Sequence, residues 1–174
     1  MKSLLATAIL TLSACASTPT SFSEGERHPL LIEACKNQTS DAGQRDCKVA
    51  DGTKDLKEGL WCCEDSSGHL VMASQFHHGQ KNGRTELYAP QDGHIESIST
   101  WKNGQLEGPQ INFFKNGVIA NEYAVKDGHF IGELKDYDEA GRLRSLGHYK
   151  NGKRKGLYQE WNEAGVLIFE ESDK

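Results

Sequence analysis

From residue 59 to the end of the chain, apolar and aromatic side chains fall in short runs separated by polar turns. Five residues after one recurring glycine stand Tyr88, Phe113, Tyr137 and Trp161, with Glu64 at the equivalent place in the first unit. Two residues after a second recurring glycine stand Leu70, Ile95, Ile119, Leu143 and Leu167. Three residues before a third stand Phe76, Trp101, Val125 and Tyr149. Branched and aromatic residues in runs of this length, bounded by Asn-Gly or Asp-Gly, predict strands joined by hairpins. Asn82-Gly83, Asp92-Gly93, Asn103-Gly104, Asn116-Gly117, Asp127-Gly128 and Asn151-Gly152 are expected to supply the positive φ angles of those turns.

The glycines set the period. Gly59, Gly83, Gly108, Gly132 and Gly156 are separated by 24, 25, 24 and 24 residues, and the extra residue falls in the Pro90-Gln91-Asp92 turn. Gly68, Gly93, Gly117, Gly141 and Gly165 form the second set, and Gly79, Gly104, Gly128 and Gly152 the third. Three sets in register predict an internal repeat built from stacked supersecondary units. With two antiparallel strands and two turns per unit, residues 59–174 are expected to form an all-β, single-layer antiparallel meander of about nine strands, roughly 40 Å long.

The best-formed stretch reads Tyr137-Asp-Glu-Ala-Gly141, then Tyr149-Lys-Asn-Gly152-Lys-Arg-Lys-Gly156, then Trp161-Asn-Glu-Ala-Gly165. It resembles the MORN repeat family, in its bacterial variant with a slightly longer period. The resemblance implies a meander of repeated hairpins. Val125 and Glu64 depart from it where an aromatic is usual, and the last unit is truncated at Glu170-Glu171-Ser-Asp-Lys. An acidic final strand protects a terminal sheet edge from pairing with other molecules.

The amino terminus reads as an address. Met1, Lys2 and Ser3 precede an apolar run from Leu4 to Leu12, too short to span a bilayer and suited to the core of an export signal. Leu12-Ser13-Ala14-Cys15 resembles the lipobox of bacterial lipoproteins. That resemblance implies a signal peptide over 1–14, cleavage before Cys15, and acylation of Cys15. A plain secretory signal with an incidental cysteine is the alternative. Ala16 is not the aspartate that often retains such lipoproteins at the inner membrane, so the expected location is the outer membrane, facing the periplasm. Residues 15–23 form the lipidated cysteine and a small, polar tether. Residues 24–58 form an amino-terminal cap in which Leu30-Leu31-Ile32, after Pro29, can start a short helix toward Cys35.

Cysteine use agrees with export. Besides Cys15 the chain has Cys35, Cys47, Cys62 and Cys63, an even number in a disulfide-permitting compartment. Adjacent Cys62 and Cys63 are awkward to join to each other, so Cys35 is expected to pair with one of them and Cys47 with the other. No zinc-knuckle spacing accompanies them.

Composition narrows the function further. The net charge of −5 gives no electrostatic footprint for nucleic acid. The hydrophobic share of 36% and the mean hydropathy of −0.64 suit a repeat with little interior. No serine, cysteine, histidine or carboxylate constellation has catalytic spacing. His69, His94 and His129 follow turn glycines and are expected to be solvated, as is the pair His77-His78. No metal and no cofactor is expected. Asp136 and Asp138 lack a cleft to hold a sugar between them. Lys153, Arg154 and Lys155 are candidates for anionic-lipid contact, against the simpler account of a solvated face. Tyr88, Trp101, Phe113, Tyr137, Tyr149 and Trp161 are candidates for a partner-binding surface, because a single-layer sheet cannot hide both faces. The expected function is therefore a membrane-anchored, non-enzymatic repeat protein that binds another protein or envelope component. The alternatives are an immunity or antitoxin-like protein, and a phospholipid- or peptidoglycan-binding tether.

Overall fold

The structure is a computed structural model that describes Arg27, residues 29–36 and residues 58–172. Residues 1–26, including Cys15 and the tether, and most of the cap, including Cys47, lie outside the described residues. Among the described residues one short helix, α1 (Leu31–Lys36), precedes ten strands: β1 (Gly59–Glu64), β2 (Leu70–His77), β3 (Gln80–Tyr88), β4 (Ile95–Lys102), β5 (Gln105–Phe113), β6 (Ile119–Lys126), β7 (His129–Tyr137), β8 (Leu143–Lys150), β9 (Lys153–Trp161) and β10 (Leu167–Ser172). The strands pair in chain order as one open antiparallel sheet. The count is ten instead of about nine, because the truncated last unit still pairs β10 with β9 from Leu167 to Ser172.

Two kinds of turn alternate. The tight turns His78-Gly79, Asn103-Gly104, Asp127-Gly128 and Asn151-Gly152 hold both residues at positive φ, from 49° to 52° at the first and 74° to 78° at the second. That geometry belongs to the two-residue hairpin whose twist matches its strands. Three of the longer turns, beginning at Asp65, Asp138 and Asn162, are closed by the side chain of that residue: Asp138 Oδ1 accepts the N–H groups of Ala140 and Arg142, both at 3.0 Å, and Asn162 Oδ1 does the same for Ala164 and Val166. These bonds, with that to the Arg142 side chain, hold the Asp138 carboxyl below its ordinary pKa.

Asn82-Gly83 is not a turn. It lies within β3 as a bulge facing Gln75, where the pairing jumps from Ser74↔Thr85 to Phe76↔Lys81. Gly83 has φ +107°, and a Cβ there would sit 2.4 Å from Gln75 Oε1, the atom that accepts Arg84 N–H at 2.7 Å. From Gly83 to Gly156 the first glycine set marks bulges that bend the sheet, Gly59 opens β1, and the other two sets mark the turns.

The core sits towards the amino-terminal end of the sheet. Ala73, Tyr88, Ile98, Ile111, Ala124 and Val125 are buried, whereas no residue of β9 or β10 is. Arg27 and residues 29–36 lie across the same end. Cys35 on α1 is bonded to Cys62 on β1, one of the two expected pairings for Cys35, and Cys63 is buried beside it.

Candidate functional site

The register separates the two faces. One row runs across the sheet through Cys62, Ala73, Glu86, Ile98, Ile111, Glu122, Lys135 and Leu146. Successive residues of a strand point to opposite faces, so these side chains share one. Glu86 and Glu122 are 0% and 1% exposed. Buried carboxylates need partners, and both find them in the amino-terminal segment. Glu86 accepts the backbone N–H groups of Leu30 at 2.7 Å and Leu31 at 3.0 Å, the Arg84 Nε–H at 2.5 Å, and the Tyr88 hydroxyl. Its acceptor sites are thereby filled, and α1 starts on its charge. Glu122 takes a bidentate pair from Arg27 at 2.9 and 3.0 Å and the Tyr137 hydroxyl at 2.9 Å, with Lys135 Nζ 3.9 Å away. The segment therefore crosses the sheet from β6 through β3 to β1, ending on the disulfide. Burial first, and then the adjoining glutamate, push both tyrosine pKa values up.

The opposite face carries an aromatic stripe beside the tight turns. Phe130 packs edge-on against Tyr123, with ring centroids 5.2 Å apart, and against Tyr149 at 5.9 Å. Lys81 Nζ lies 4.6 Å from the centre of the Trp101 ring. Between them is a groove of about 570 Å³ lined by Trp101, Leu106, Tyr123, Val125 and Phe130, with Gln105 and Asp127 at its polar rim. Leu106 and Phe130 are exposed at its mouth. Trp101 Nε1–H is shielded from solvent yet has no hydrogen-bond acceptor, alone in this respect among the buried side-chain polar atoms of the described residues.

The six aromatics do not make one surface. Tyr88 and Tyr137 point to the glutamate face, and the register puts Phe113 and Trp161 there too, while Trp101 and Tyr149 belong to the groove face. Tyr88 is buried, so it offers no docking area. The physical reason is the strand period: Trp101 and Tyr149 lie directly opposite Gly83 and Gly132, while Tyr88 and Tyr137 stand five residues, an odd number, beyond the same glycines. Sequence reasoning also missed Glu86 and Glu122. Their signal was a charge at positions that hold Ile98, Ile111 and Leu146 in neighbouring strands.

The remaining candidates stay at the surface. Arg154 pairs with Glu171 and lies over the Tyr158 ring, while Lys153 and Lys155 are exposed. His94 bonds to Asp92, which with the backbone N–H of His94 draws that carboxyl down to about 2. His69 sits 3.4 Å from Asp65, and His129 Nδ1 lies 2.7 Å from the carbonyl oxygen of Asp127. His77 and His78 meet a third residue, Glu58, at the start of the sheet.

The family model of the MORN repeat variant matches residues 131–151, the stretch from the β7 bulge through β8 into the next tight turn. That match supports the MORN repeat family, and the register of the other units repeats the same geometry. No curated protein and no solved structure matches the chain.

Proposed function

We propose that this chain is a non-enzymatic bacterial envelope lipoprotein, anchored through Cys15 and binding an extended segment of another protein in the groove between Trp101, Leu106 and Phe130. The carrying observation is the groove itself: an apolar, exposed channel on the face that the amino-terminal segment leaves uncovered, with an unused Trp101 N–H donor. An extended peptide supplies an apolar side chain for the channel and, once the Trp101 ring turns its shielded N–H outward, a backbone carbonyl to accept it. The Cys35–Cys62 bridge fits an exported protein, and the lipobox-like Leu12-Ser13-Ala14-Cys15 supplies the anchor. Between Cys15 and Arg27 the chain can extend at most about 40 Å, so the sheet works close to the membrane surface, facing the periplasm.

Fractionation tests the anchor: Cys15→Ser moves the protein from the membrane to the soluble fraction, and retention on the membrane contradicts it. For the groove, crosslinking in intact cells followed by purification recovers a discrete partner with the wild type and not with Phe130→Asp. Equal recovery with the variant removes the groove from the account. Growth of a deletion strain that depends on the absence of a neighbouring toxic gene product would favour the immunity reading instead.

A further inference from the structure

The tight turns follow a rule that the first one breaks. Ahead of the turn glycine the later turns carry Lys102-Asn103, Lys126-Asp127 and Lys150-Asn151, and the first carries His77-His78. The backbone is unchanged, since His78 has φ 49° against 49°, 51° and 52° at its equivalents. Only the side-chain chemistry differs.

The partner beneath the turn is also part of the repeat. The residue before the bulge glycine reaches the N–H of the next tight turn: Asn82 Oδ1 accepts from Asn103 at 3.3 Å, and Glu107 Oε2 from Asp127 at 3.4 Å. Glu58 Oε1 accepts from His78 in the same way at 2.7 Å, so its carboxylate is held in place by the backbone. In this unit that carboxylate meets two imidazoles. His77 Nδ1 lies 3.1 Å from one oxygen and His78 Nδ1 3.0 Å from the other, and the two ring centroids are 3.9 Å apart. One donor atom from each of the three residues falls within 4.8 Å of the others. Ligands about 2.1 Å from a tetrahedral ion are separated by about 3.4 Å, so small side-chain rotations suffice to close the site.

We propose that Glu58, His77 and His78 bind a divalent transition cation of the zinc class. Two imidazoles and a carboxylate suit such an ion better than calcium or magnesium, which favour oxygen ligands alone. All three side chains are exposed, so the ion enters from solvent and keeps its remaining position for water or an outside ligand. Bound there, it clips the start of β1 to the β2–β3 turn, at the sheet end already tied by Cys35–Cys62.

Titration of zinc chloride into the untagged mature protein, with its disulfides intact, tests the site by calorimetry. One equivalent is expected to bind. His77→Lys/His78→Asn restores the residues of the other turns and should fold normally while binding at least about tenfold more weakly. Glu58→Gln keeps the acceptor for His78 N–H and should also weaken binding. His69→Ala should leave it unchanged. Absence of zinc binding by the wild type, or equal affinity in the His77→Lys/His78→Asn variant, overturns the proposal. An anomalous zinc peak in crystals between Glu58 and the two rings would place the ion directly.

Discussion

Arg27→Ala probes how the amino-terminal segment is held. The guanidinium makes two charge-assisted bonds to Glu122, at 2.9 and 3.0 Å, and its side chain is 36% exposed against 1% for the glutamate. Breaking a fully buried pair costs about 3–5 kcal/mol, and a surface pair is worth about 0–1 kcal/mol. This pair lies between. Lys135 at 3.9 Å and the Tyr137 hydroxyl remain to stabilise the carboxylate, and water reaches the arginine side, so the expected loss is about 2 kcal/mol. Glu122→Gln alone should also destabilise, but the double variant should lose less than the sum of the two, with a coupling of roughly 1–2 kcal/mol. Urea unfolding followed by circular dichroism gives the four free energies. In a repeat sheet the loss can be local, so hydrogen exchange at Leu30 and Leu31 is the companion assay, and both amides should exchange faster in Arg27→Ala. A coupling within about 0.3 kcal/mol of zero, with Leu30 and Leu31 protection unchanged, would refute the account of the segment.

Removal of the Cys35–Cys62 bridge by Cys35→Ala should destabilise the unlipidated protein by about 3–4 kcal/mol, the loop entropy for a separation of 27 residues, and an unchanged urea midpoint would contradict this. Gly83→Ala forces a Cβ onto Gln75 at a φ of +107° and should cost about 1–3 kcal/mol by the same measurement, whereas a neutral result would mean that the bulge relaxes freely. Tyr88 has its phenol pKa raised by burial and by Glu86, so the folded state keeps its proton longer than the unfolded chain does. The stability from this group is complete below the unfolded pKa of about 10 and falls as pH rises beyond it. Tyr137 acts in the same sense, as does Tyr158, pushed up to about 12 chiefly by its bond to Glu160. Urea midpoints between about pH 9 and 11.5 should decline, and less steeply in Tyr88→Phe; a flat profile would count against the buried phenol.

Glycine periodicity was enough to read the meander, since only a repeat in register places 14 of 18 glycines on three tracks, and all 14 of those have positive φ. The role of Asn82-Gly83 was less legible. Positive φ serves a bulge as well as a turn, and nothing local distinguishes the two; the tertiary pairing of β2 with β3 decides. Face assignment failed for a related reason. Cross-strand pairing sets Trp101 and Tyr149 opposite Gly83 and Gly132, whereas Tyr88 and Tyr137 stand five residues beyond those glycines, so the two spacing sets take opposite surfaces. The chemistry lay in departures from the repeat. Glu86 stands between Ala73 and Ile98 and Glu122 beside Ile111, and they anchor Arg27, Leu30 and Leu31. His77 and His78 stand where neighbours are Lys and Asn or Asp, and they converge on Glu58. Comparing units with one another would have singled out His77 and His78, and Glu122 against Ala73, Ile98 and Leu146, but not Glu86, whose equivalents include Lys135 and Gln159.

The proposed partner meets the groove face. The two faces differ in kind: one is occupied by the chain's own segment through two buried carboxylates, and the other presents Leu106 and Phe130, with the unpaired Trp101 N–H shielded beneath. A photocrosslinking residue placed singly at Leu106, at Phe130 and, as a control on the other face, at Phe113 tests this in living cells. Discrete adducts of one size from Leu106 and Phe130, absent from Phe113, are the predicted result. Adducts from Phe113 alone, or none from either groove position, would contradict it.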